Sequence, residues 1–233
     1  MLRISSLKKT IGSFSLSIDK LEIKTPGIYG LIGPNGCGKS TTAKLISGIL
    51  LPDSGVIDVS LDSRDVTIIT QKPYIMEDTV YNNLAYPLRL RGIKSYKALC
   101  DEYLEKINFV ERKNQQARGL SGGERQKLSL LRAMIFNPKL IILDEAMTDL
   151  DLDSLDMFER MVLERQKQDP VIWIIISHHL PHIRLLCNYI FFLADGKLET
   201  EGPTDELLSS ENPMVARYVK HEVFQVKCNP GKP

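Results

Sequence analysis

The stretch "GPNGCGKST", residues 33–41, decides the fold that we predict for this chain. It matches the pattern G-x-x-x-x-G-K-[ST] at Gly33, Gly38, Lys39 and Ser40, directly after the hydrophobic run "GIYGLI". A hydrophobic strand, a glycine-rich loop and a helix that opens at the loop are the context that this pattern requires. Glycines let backbone N–H groups turn inward around an anion, and the positive end of the helix dipole adds to the attraction. The stretch therefore predicts a phosphate-binding loop; the alternative is a glycine-rich turn that binds nothing.

Short hydrophobic runs without alternation predict strands that are covered on both faces. They are "GIYGLI" at 27–32, "VTIIT" at 66–70, "LIIL" at 140–143, "VIWIII" at 171–176 and "YIFFL" at 189–193. Helical faces lie between most of them, formed by Leu45, Ile46, Ile49 and Leu50, by Leu128, Leu131 and Ile135, and by Leu155, Phe158 and Val162. An alternating N-terminal segment has its apolar positions at Phe14, Leu16, Ile18, Leu21 and Ile23. We predict an α/β fold with a mainly parallel sheet and an N-terminal antiparallel β portion.

Residues 72–134 contain no convincing buried strand and predict a helical insertion. One helical face links Tyr96, Leu99, Tyr103 and Ile107, and an earlier one links Val80, Leu84 and Leu88. Pro87 is expected to kink or end that earlier helix. We therefore expect one domain with a core at 1–71 and 135–205, a helical subdomain at 72–134 and a tail at 206–233. The tail is too short for an added regulatory domain.

Composition and charge narrow the possible functions. The chain has 30 basic and 29 acidic residues and a net charge of +1, with no block of either sign, so no nucleic-acid partner is expected. The 4 cysteines form no C-x-x-C pair, which favours a reducing compartment such as the cytoplasm. The longest apolar run, "VIWIII", is far shorter than the roughly 20 residues of a membrane-spanning helix. If the protein works at a membrane, another chain must span it.

Polar side chains follow three of the predicted strands. "LIILDE" ends in Asp144 and Glu145, Gln71 follows "VTIIT", and His178 and His179 come soon after "VIWIII". Because ligands of open α/β sheets bind at the carboxyl ends of strands, we expect these groups to face the phosphates. Asp144 suits magnesium, and Glu145 suits polarising the attacking water. Taken alone, each is explained as a helix cap or a surface group, and only one of the two histidines can point into the site.

The order of these motifs resembles the nucleotide-binding subunit of an ABC (ATP-binding cassette) transporter. That order is the phosphate loop, Gln71, "LSGGERQK" at 120–127, "LIILDE", "TDLD" and His178. The resemblance covers roughly residues 1–205, and "LSGGE" is a very specific signature. It implies a P-loop NTPase core with an inserted α-helical subdomain, and hydrolysis of ATP with Mg²⁺ as the metal cofactor.

The family also implies a use for the second glycine-rich helix start, the signature. Its two cassettes bind head to tail, so that Ser121, Gly122 and Gly123 of one chain would contact the ATP held by the other chain. A serine hydroxyl, bare backbone N–H groups and a helix N-terminus form an anion site, which agrees with this role. The alternative is that "SGGE" is only an N-cap with Glu124 in the first turn.

The family's remaining roles carry over residue by residue. ATP is expected to contact Phe14, Gly33, Pro34, Asn35, Gly36, Cys37, Gly38, Lys39, Ser40 and Thr41. Mg²⁺ is expected at Ser40, Gln71 and Asp144, catalysis at Glu145, His178 and Gln71, and the dimer interface at Asp151. The chain has "EAMTDLD" where the family commonly has "EPTSALD", and so departs from it at Ala146, Met147 and Asp149. Phe14 lies closer to Lys39 than the family's adenine-stacking aromatic, so a role in the core is equally open.

The implied function is an ATPase subunit that dimerises on MgATP and powers solute transport through a separate permease. The second cassette would be another copy of this chain or a similar one. The complex would be an importer with a solute-binding protein, and this chain would lie in the cytoplasm, on the inner face of the membrane. Residues 72–95 would hold the permease, with Tyr74, Ile75 and Met76 either as anchors or as ordinary core.

The cargo and the class of ATPase leave further alternatives. The compact N-terminal segment and the short tail are similar to cassettes of tungstate and molybdate importers. The rival function is a non-transport ABC ATPase that acts on a soluble partner. DNA-repair cassettes carry a long heptad insertion, and translation-associated ones carry two cassettes, and this chain has neither. A nucleotide kinase or a GTPase would not explain "LSGGERQK".

Overall fold

The computed structural model describes residues 1–72, 74–148 and 150–228, with side chains described as far as Val223. Two compact units divide the chain. The first consists of residues 1–62 and 172–233, and the second of residues 63–171. In the described part of the chain, no helix has both the length and the apolar character that a membrane span requires.

The secondary structure alternates between strands and helices over much of the chain. The strands are β1 (Leu2–Ile11), β2 (Phe14–Ile23), β3 (Gly27–Ile32), β4 (Ser54–Val59), β5 (Val66–Thr70), β6 (Leu140–Asp144), β7 (Ile172–Ile176), β8 (Tyr189–Ala194) and β9 (Lys197–Pro203). The helices are α1 (Lys39–Ile46), α2 (Val80–Leu90), α3 (Lys97–Lys106), α4 (Gly122–Met134), α5 (Leu152–Gln168), α6 (Leu180–Leu186), α7 (Thr204–Leu208) and α8 (Pro213–Cys228). Short 3₁₀ turns cover Ser63–Asp65, Val110–Arg112 and Ala117–Gly119. This mixed α/β content confirms the predicted class.

The sheet of the first unit combines a parallel and an antiparallel part. Its strands follow the order β4-β1-β2-β9-β8-β3-β7. β3 pairs in parallel with β7 on one side and with β8 on the other. β1 pairs antiparallel with β2 and with β4, which is the N-terminal antiparallel portion. The carboxyl ends of β3, β7 and β8 therefore share one edge, where side chains that follow them can form a site.

The N-terminal strands differ in detail from the sequence prediction. The alternating segment forms one strand, β2, and its buried positions change face between Ile18 and Leu21. β1 was not predicted at all. A register shift between Ser5 and Lys8, with a left-handed φ of 50° at Ser6, interrupts its alternation. Such a bulge removes the period-2 signal on which strand prediction depends.

Helix α1 is shorter than the predicted apolar face. It ends at Ile46, and Gly48 adopts a φ of +76°, which favours glycine and stops the helix. Leu45 and Ile46 are buried as expected, but Ile49 is 59% exposed. The assignment of Ile49 to the buried face was therefore wrong.

The second unit pairs two strands with a set of helices. β5 and β6 are parallel, and every residue of β6 is buried. In β5 only Ile69 is fully buried, so the prediction that "VTIIT" is covered on both faces was wrong. Helices α2, α3 and α4 lie within the range 72–134, as predicted. Helix α2 continues past Pro87 to Leu90, so this proline does not end it.

Hydrophobic faces of the helices in the second unit were only partly predicted. Leu128, Leu131 and Ile135 are buried, as are Leu155, Phe158 and Val162, and both faces were predicted. In α3 the buried residues are Cys100 and Leu104. Ile107, just after the helix, is buried as predicted, whereas Tyr96, Leu99 and Tyr103 are only half-buried, because the centre of the buried face lies at Cys100 and Leu104.

Candidate active site

The phosphate loop connects β3 to α1, and its glycines are required by geometry. Gly33 has a φ of +144°, and a Cβ atom there would lie 1.9 Å from the carbonyl oxygen of Leu193. Gly38 has a φ of +107° and is the N-cap of α1, without a side-chain cap. The first N–H groups of α1 therefore face the loop without a capping side chain, as expected for a phosphate site.

Lys39 supplies the positive charge of this loop. The side chain is only 8% exposed. Its Nζ donates to the carbonyl oxygens of Gly33 at 2.7 Å and Pro34 at 3.0 Å. The first turn of α1 contains no acidic residue. The ammonium and the helix N-terminus therefore attract an anion together, with no carboxylate in that turn to oppose them.

Cys37 is a small buried member of the same loop. It is 4% exposed, and its Sγ lies 4.0 Å from Nζ of Lys39. Burial raises the pKa of the Cys37 thiol despite the opposing effect of the lysine. The thiol is therefore neutral near pH 7 and acts as a small apolar side chain.

His178 lies in a pocket with the beginning of the phosphate loop. Pro34, Asn35 and His178 line a pocket of about 600 Å³ in the first unit. The neighbouring strands β3 and β7 are parallel, so the loop and the histidine follow them at one edge. The rings of His178 and His179 are 4.8 Å apart between centroids, and His179 is absent from this lining. His178 is therefore the histidine that lies beside the loop.

Phe14 also contacts the phosphate loop. It is half-buried at the start of β2. A Cβ atom at Gly38 would lie 3.0 Å from Cζ of Phe14 and 2.8 Å from Cδ1 of Leu16. The ring therefore packs against the first residues of α1, and stacking on adenine stays a prediction.

The acidic pair belongs to the second unit. Asp144 ends β6 and is 6% exposed, and Glu145 follows with a left-handed φ of 53°. Thr148 Oγ donates to the carbonyl oxygen of Glu145 at 3.0 Å and to its Oε2 at 3.2 Å. Backbone strain at a non-glycine residue persists when the surrounding contacts hold it, and such strain clusters at functional sites. Sequence reasoning missed Thr148, although it lies within "EAMTDLD".

Gln71 shares a sheet edge with this pair. It follows β5, and the β5–β6 register places Thr70 opposite Asp144. Gln71 is exposed. The amide oxygen of Gln71 and the carboxylate of Asp144, both in the second unit, are hard oxygen donors of the kind that Mg²⁺ prefers, and so is the hydroxyl of Ser40 in the first unit. These three ligands stay a prediction.

The signature begins helix α4 with a capping box. The backbone N–H of Glu124 donates to Ser121 Oγ at 3.3 Å, and the N–H of Ser121 donates to Glu124 Oε2 at 2.8 Å. The capping role of "SGGE" is thus confirmed, whereas the contact with a partner's ATP stays a prediction. Ser121 and Gly122 are exposed, and a Cβ atom at Gly122 would meet no atom within 4 Å.

Arg112 contacts the carboxylate of Glu124, and the sequence analysis did not identify it. Both of its terminal nitrogens donate to Glu124, the Nη2–Oε2 distance being 3.3 Å. The guanidinium and the Ser121 N–H lower the pKa of Glu124 to about 2. No spacing rule connects a residue in the preceding loop with the third residue of a helix, so only the folded loop reveals the contact.

Asp151 caps helix α5 and pairs with the signature helix. Its Oδ1 accepts from the N–H of Ser154 at 2.9 Å, and its Oδ2 lies 3.1 Å from Nζ of Lys127. The Ser154 hydroxyl also donates to Oδ1 of Asp151. This bond has the largest effect, and together with the other two it lowers the pKa of Asp151 to about 2. Its place at a dimer interface stays a prediction.

The residues that depart from the family pattern are only partly described. Ala146 and Met147 are buried, and Gln126 Nε2 of α4 donates to the carbonyl oxygen of Ala146. Asp149 lies outside the described residues. Ala146 thus joins the segment after Glu145 to the signature helix.

Comparison with known proteins identifies the family. The model of the family described as ABC transporter matches residues 16–148. The chain is 33% identical over 210 residues to the tungstate uptake system ATP-binding protein TupC of Peptoclostridium acidaminophilum, a match that covers 86% of this chain and 98% of that one. It is 28% identical to the phosphate import ATP-binding protein PstB of Saccharolobus solfataricus, over 85% of this chain and 86% of that one. It is also 28% identical to the methionine import ATP-binding protein MetN of Caulobacter vibrioides, over 99% of this chain and 76% of that one.

A solved structure of an ATP-binding subunit of an ABC transporter has the same fold. It matches with a TM-score of 0.84 at 21% identity, over 97% of this chain and 99% of that one. The chain therefore belongs to the ABC transporter family, whose ATP-binding subunits are ATPases. The resemblance deduced from the order of motifs is confirmed, and so are the P-loop NTPase fold and the ATPase activity that it implied.

Proposed function

We propose that two copies of this chain close head to tail on two MgATP and that hydrolysis reopens them to drive an importer. The exposed signature carries this proposal. Ser121 and Gly122 are exposed at the start of α4, where the Ser121 hydroxyl keeps its hydrogen for an outside acceptor and Gly122 has open space around its Cα, and the chain has its phosphate loop at a different helix start, that of α1. A second anion site without a ligand of its own is explained if it completes the site of a partner.

The catalytic roles follow from the chemistry of each side chain. Mg²⁺, held by Ser40, Asp144 and Gln71, would neutralise charge on the phosphates. Glu145 polarises the attacking water, and Thr148 fixes the orientation of that carboxylate. Lys39 and His178 hold the phosphates. No covalent intermediate with the protein is involved, because positioning and charge neutralisation suffice for phosphoryl transfer.

Mixing inactive variants tests the head-to-tail site. Lys39→Ala removes the phosphate loop's cation, and Ser121→Arg blocks the signature. Each variant alone should be inactive, whereas a mixture should regain ATPase activity, because each heterodimer has one intact composite site. Activity in either variant alone, or a mixture as inactive as its components, would contradict the proposal.

The permease is proposed to bind a surface of the second unit that we call the docking surface, formed by Tyr74, Met76, Tyr86 and Leu90. These residues line a pocket of about 410 Å³. Tyr74 is 75% exposed and Leu90 is 65% exposed, and exposed apolar residues that line one pocket together are typical of a surface that a partner covers.

Hydrogen bonds connect the docking surface to α4, the signature helix. Arg132 of α4 donates to the carbonyl oxygen of Tyr74 and, at 3.2 Å, to Oδ1 of Asn83. Asn83 is fully buried, and its Oδ1 accepts from the N–H of Met76 at 2.9 Å. A permease helix bound here would therefore act directly on α4.

Co-purification tests the docking surface. Tyr74→Asp should reduce the amount of permease recovered from native membranes with the tagged chain, because a carboxylate would be buried at the contact. Leu51→Asp is the matched control, since Leu51 is 76% exposed outside this surface. Equal recovery with both variants would contradict the assignment, and a soluble partner without a permease would favour the non-transport ATPase.

The cargo is proposed to be an oxyanion of the tungstate type. The support is the 33% identity to a tungstate uptake protein and the lower identity to a methionine importer. The solute-binding protein that co-purifies should bind tungstate or molybdate in calorimetry. Binding of methionine alone would contradict this cargo.

A further inference from the structure

We propose that Arg112 is a positioning residue for ATP hydrolysis: it holds Glu124 so that the signature can accept the phosphates of a partner chain's nucleotide. The inference rests on the head-to-tail site proposed above. Arg112 touches neither nucleotide nor water in this scheme, and acts only through the glutamate.

The guanidinium of Arg112 is fixed on several sides. Two nitrogens donate to the carboxylate of Glu124, and Nε donates to Oε1 of Gln115 at 2.8 Å. Its central carbon lies 4.9 Å from the ring centroid of Phe109. The bidentate bond to Glu124, the bond to Gln115 and the Phe109 ring together restrict the rotation of this planar cation. It therefore imposes one orientation on the Glu124 carboxylate.

Glu124 is in turn the inner half of the capping box. Its Oε2 accepts from the N–H of Ser121, and its own N–H donates to Ser121 Oγ. That second bond uses a lone pair of the hydroxyl and leaves the hydroxyl hydrogen for an outside acceptor. Arg112 therefore acts on Ser121 through Glu124: it holds the Glu124 carboxylate, and that carboxylate holds the backbone N–H of Ser121.

Charge gives a second reason for this contact. A carboxylate in the first turn of a helix satisfies N–H groups but also repels a phosphate that approaches the same helix end. The side chains of Arg112 and Glu124 are 35% and 27% exposed, so solvent screens the pair only partly. Arg112 thus offsets the negative charge of Glu124, while Glu124 Oε2 continues to accept from the N–H of Ser121.

The pair persists over the working range of pH. The contact lowers the pKa of Glu124 to about 2 and raises that of Arg112. Both groups are charged near pH 7, so the orientation is present whenever the enzyme is active.

Single substitutions separate positioning from nucleotide binding. Arg112→Ala should lower kcat about tenfold, because a charge-assisted bond is lost, while the Kd of the isolated chain for MgATP is unchanged. Lys113→Ala is the matched control: it removes the same charge from the next residue, which makes only a 3.8 Å ion pair with Asp101. Thermal unfolding of each variant verifies the fold. Equal kcat for Arg112→Ala and Lys113→Ala would overturn the proposal.

A double variant tests the charge argument. The substitution Glu124→Gln keeps the capping geometry and removes the carboxylate charge. Added to Arg112→Ala, Glu124→Gln should restore part of the lost kcat, because no negative charge then opposes the phosphate. A further loss would show that Arg112 serves only the stability of the loop, and would overturn the proposal.

Mixing places Arg112 on the signature side of the site. Arg112→Ala mixed with Lys39→Ala should exceed the residual activity of Arg112→Ala alone, whereas Arg112→Ala mixed with Ser121→Arg should not, because both changes then affect the signature. The mixture of Lys39→Ala with Ser121→Arg is the reference. If only the reference regains activity, the role of Arg112 is wrong. If the reference fails as well, the head-to-tail proposal fails and Arg112's role with it.

Discussion

The two glycine-rich helix starts of this chain, the phosphate loop and the signature, use their first N–H groups in opposite ways. Helix α1 begins at Lys39, which is buried; its N-cap, Gly38, makes no side-chain bond, and its first turn contains no acidic residue. Helix α4 begins at Gly122, after the N-cap Ser121, with a complete capping box and Glu124 in its first turn. The first start therefore has the features of an anion site of its own, whereas in the second the capping box already uses the first N–H groups, which agrees with the proposed role of completing a partner's site.

A large contrast between the two helix starts is expected in nucleotide binding. Lys39→Ala should raise the Kd of the single chain for MgATP about tenfold to a hundredfold, because a buried charge-assisted contact is lost. Ser121→Ala should leave this Kd unchanged, since the signature of a single chain holds no nucleotide. Calorimetry at a concentration where the chain is monomeric measures both. A higher Kd for Ser121→Ala would contradict the claim that only the phosphate loop binds nucleotide in the single chain.

The glycines should differ in their tolerance of a side chain. Gly33→Ala places Cβ 1.9 Å from the carbonyl oxygen of Leu193 at a φ of +144°, so the backbone must move. We expect a loss of about 2–3 kcal/mol in the free energy of unfolding. Gly122→Ala has open space and helical geometry, and should be neutral or slightly stabilising. Denaturant unfolding compares the two, and equal losses would refute this account of the glycines.

The smallest expected effect is the pH dependence of the signature cap. The pKa of Glu124 is lowered from 4.5 to about 2 in the folded chain. A lowered pKa stabilises the folded state above pH 4.5, and this contribution is lost as the pH falls toward 2. Glu124→Gln should therefore cost about 1 kcal/mol at pH 7 and progressively less below pH 4.5.

Unfolding at several pH values measures that difference. Glu102→Gln is the control, because it removes a 59% exposed carboxylate of a surface ion pair with Lys106. Its effect should be small at every pH. A cost for Glu124→Gln that stays constant down to pH 3 would contradict the role of the Arg112 pair.

The sequence predicted those parts of the site that lie close together along the chain. The phosphate loop, the acidic pair and the capping box each occupy a few consecutive residues, so their spacing reveals them. Arg112 and Thr148 were missed because their contacts depend on how a loop folds back. Strand β1 was missed because its bulge at Ser6 interrupts the alternation, and β4 because it has no fully buried residue. Where the fold brings distant residues together, pattern alone carries no signal.

The most direct test of the central claim is the mass of the Glu145→Gln variant in MgATP, measured by light scattering after size exclusion. With turnover blocked, the account predicts a stable dimer in MgATP and a monomer without nucleotide. The double variant Glu145→Gln/Ser121→Arg should remain a monomer, because its signature cannot contact the partner's ATP. A monomer of Glu145→Gln in MgATP, or a dimer that Ser121→Arg leaves intact, would contradict the claim that the two helix starts form one site.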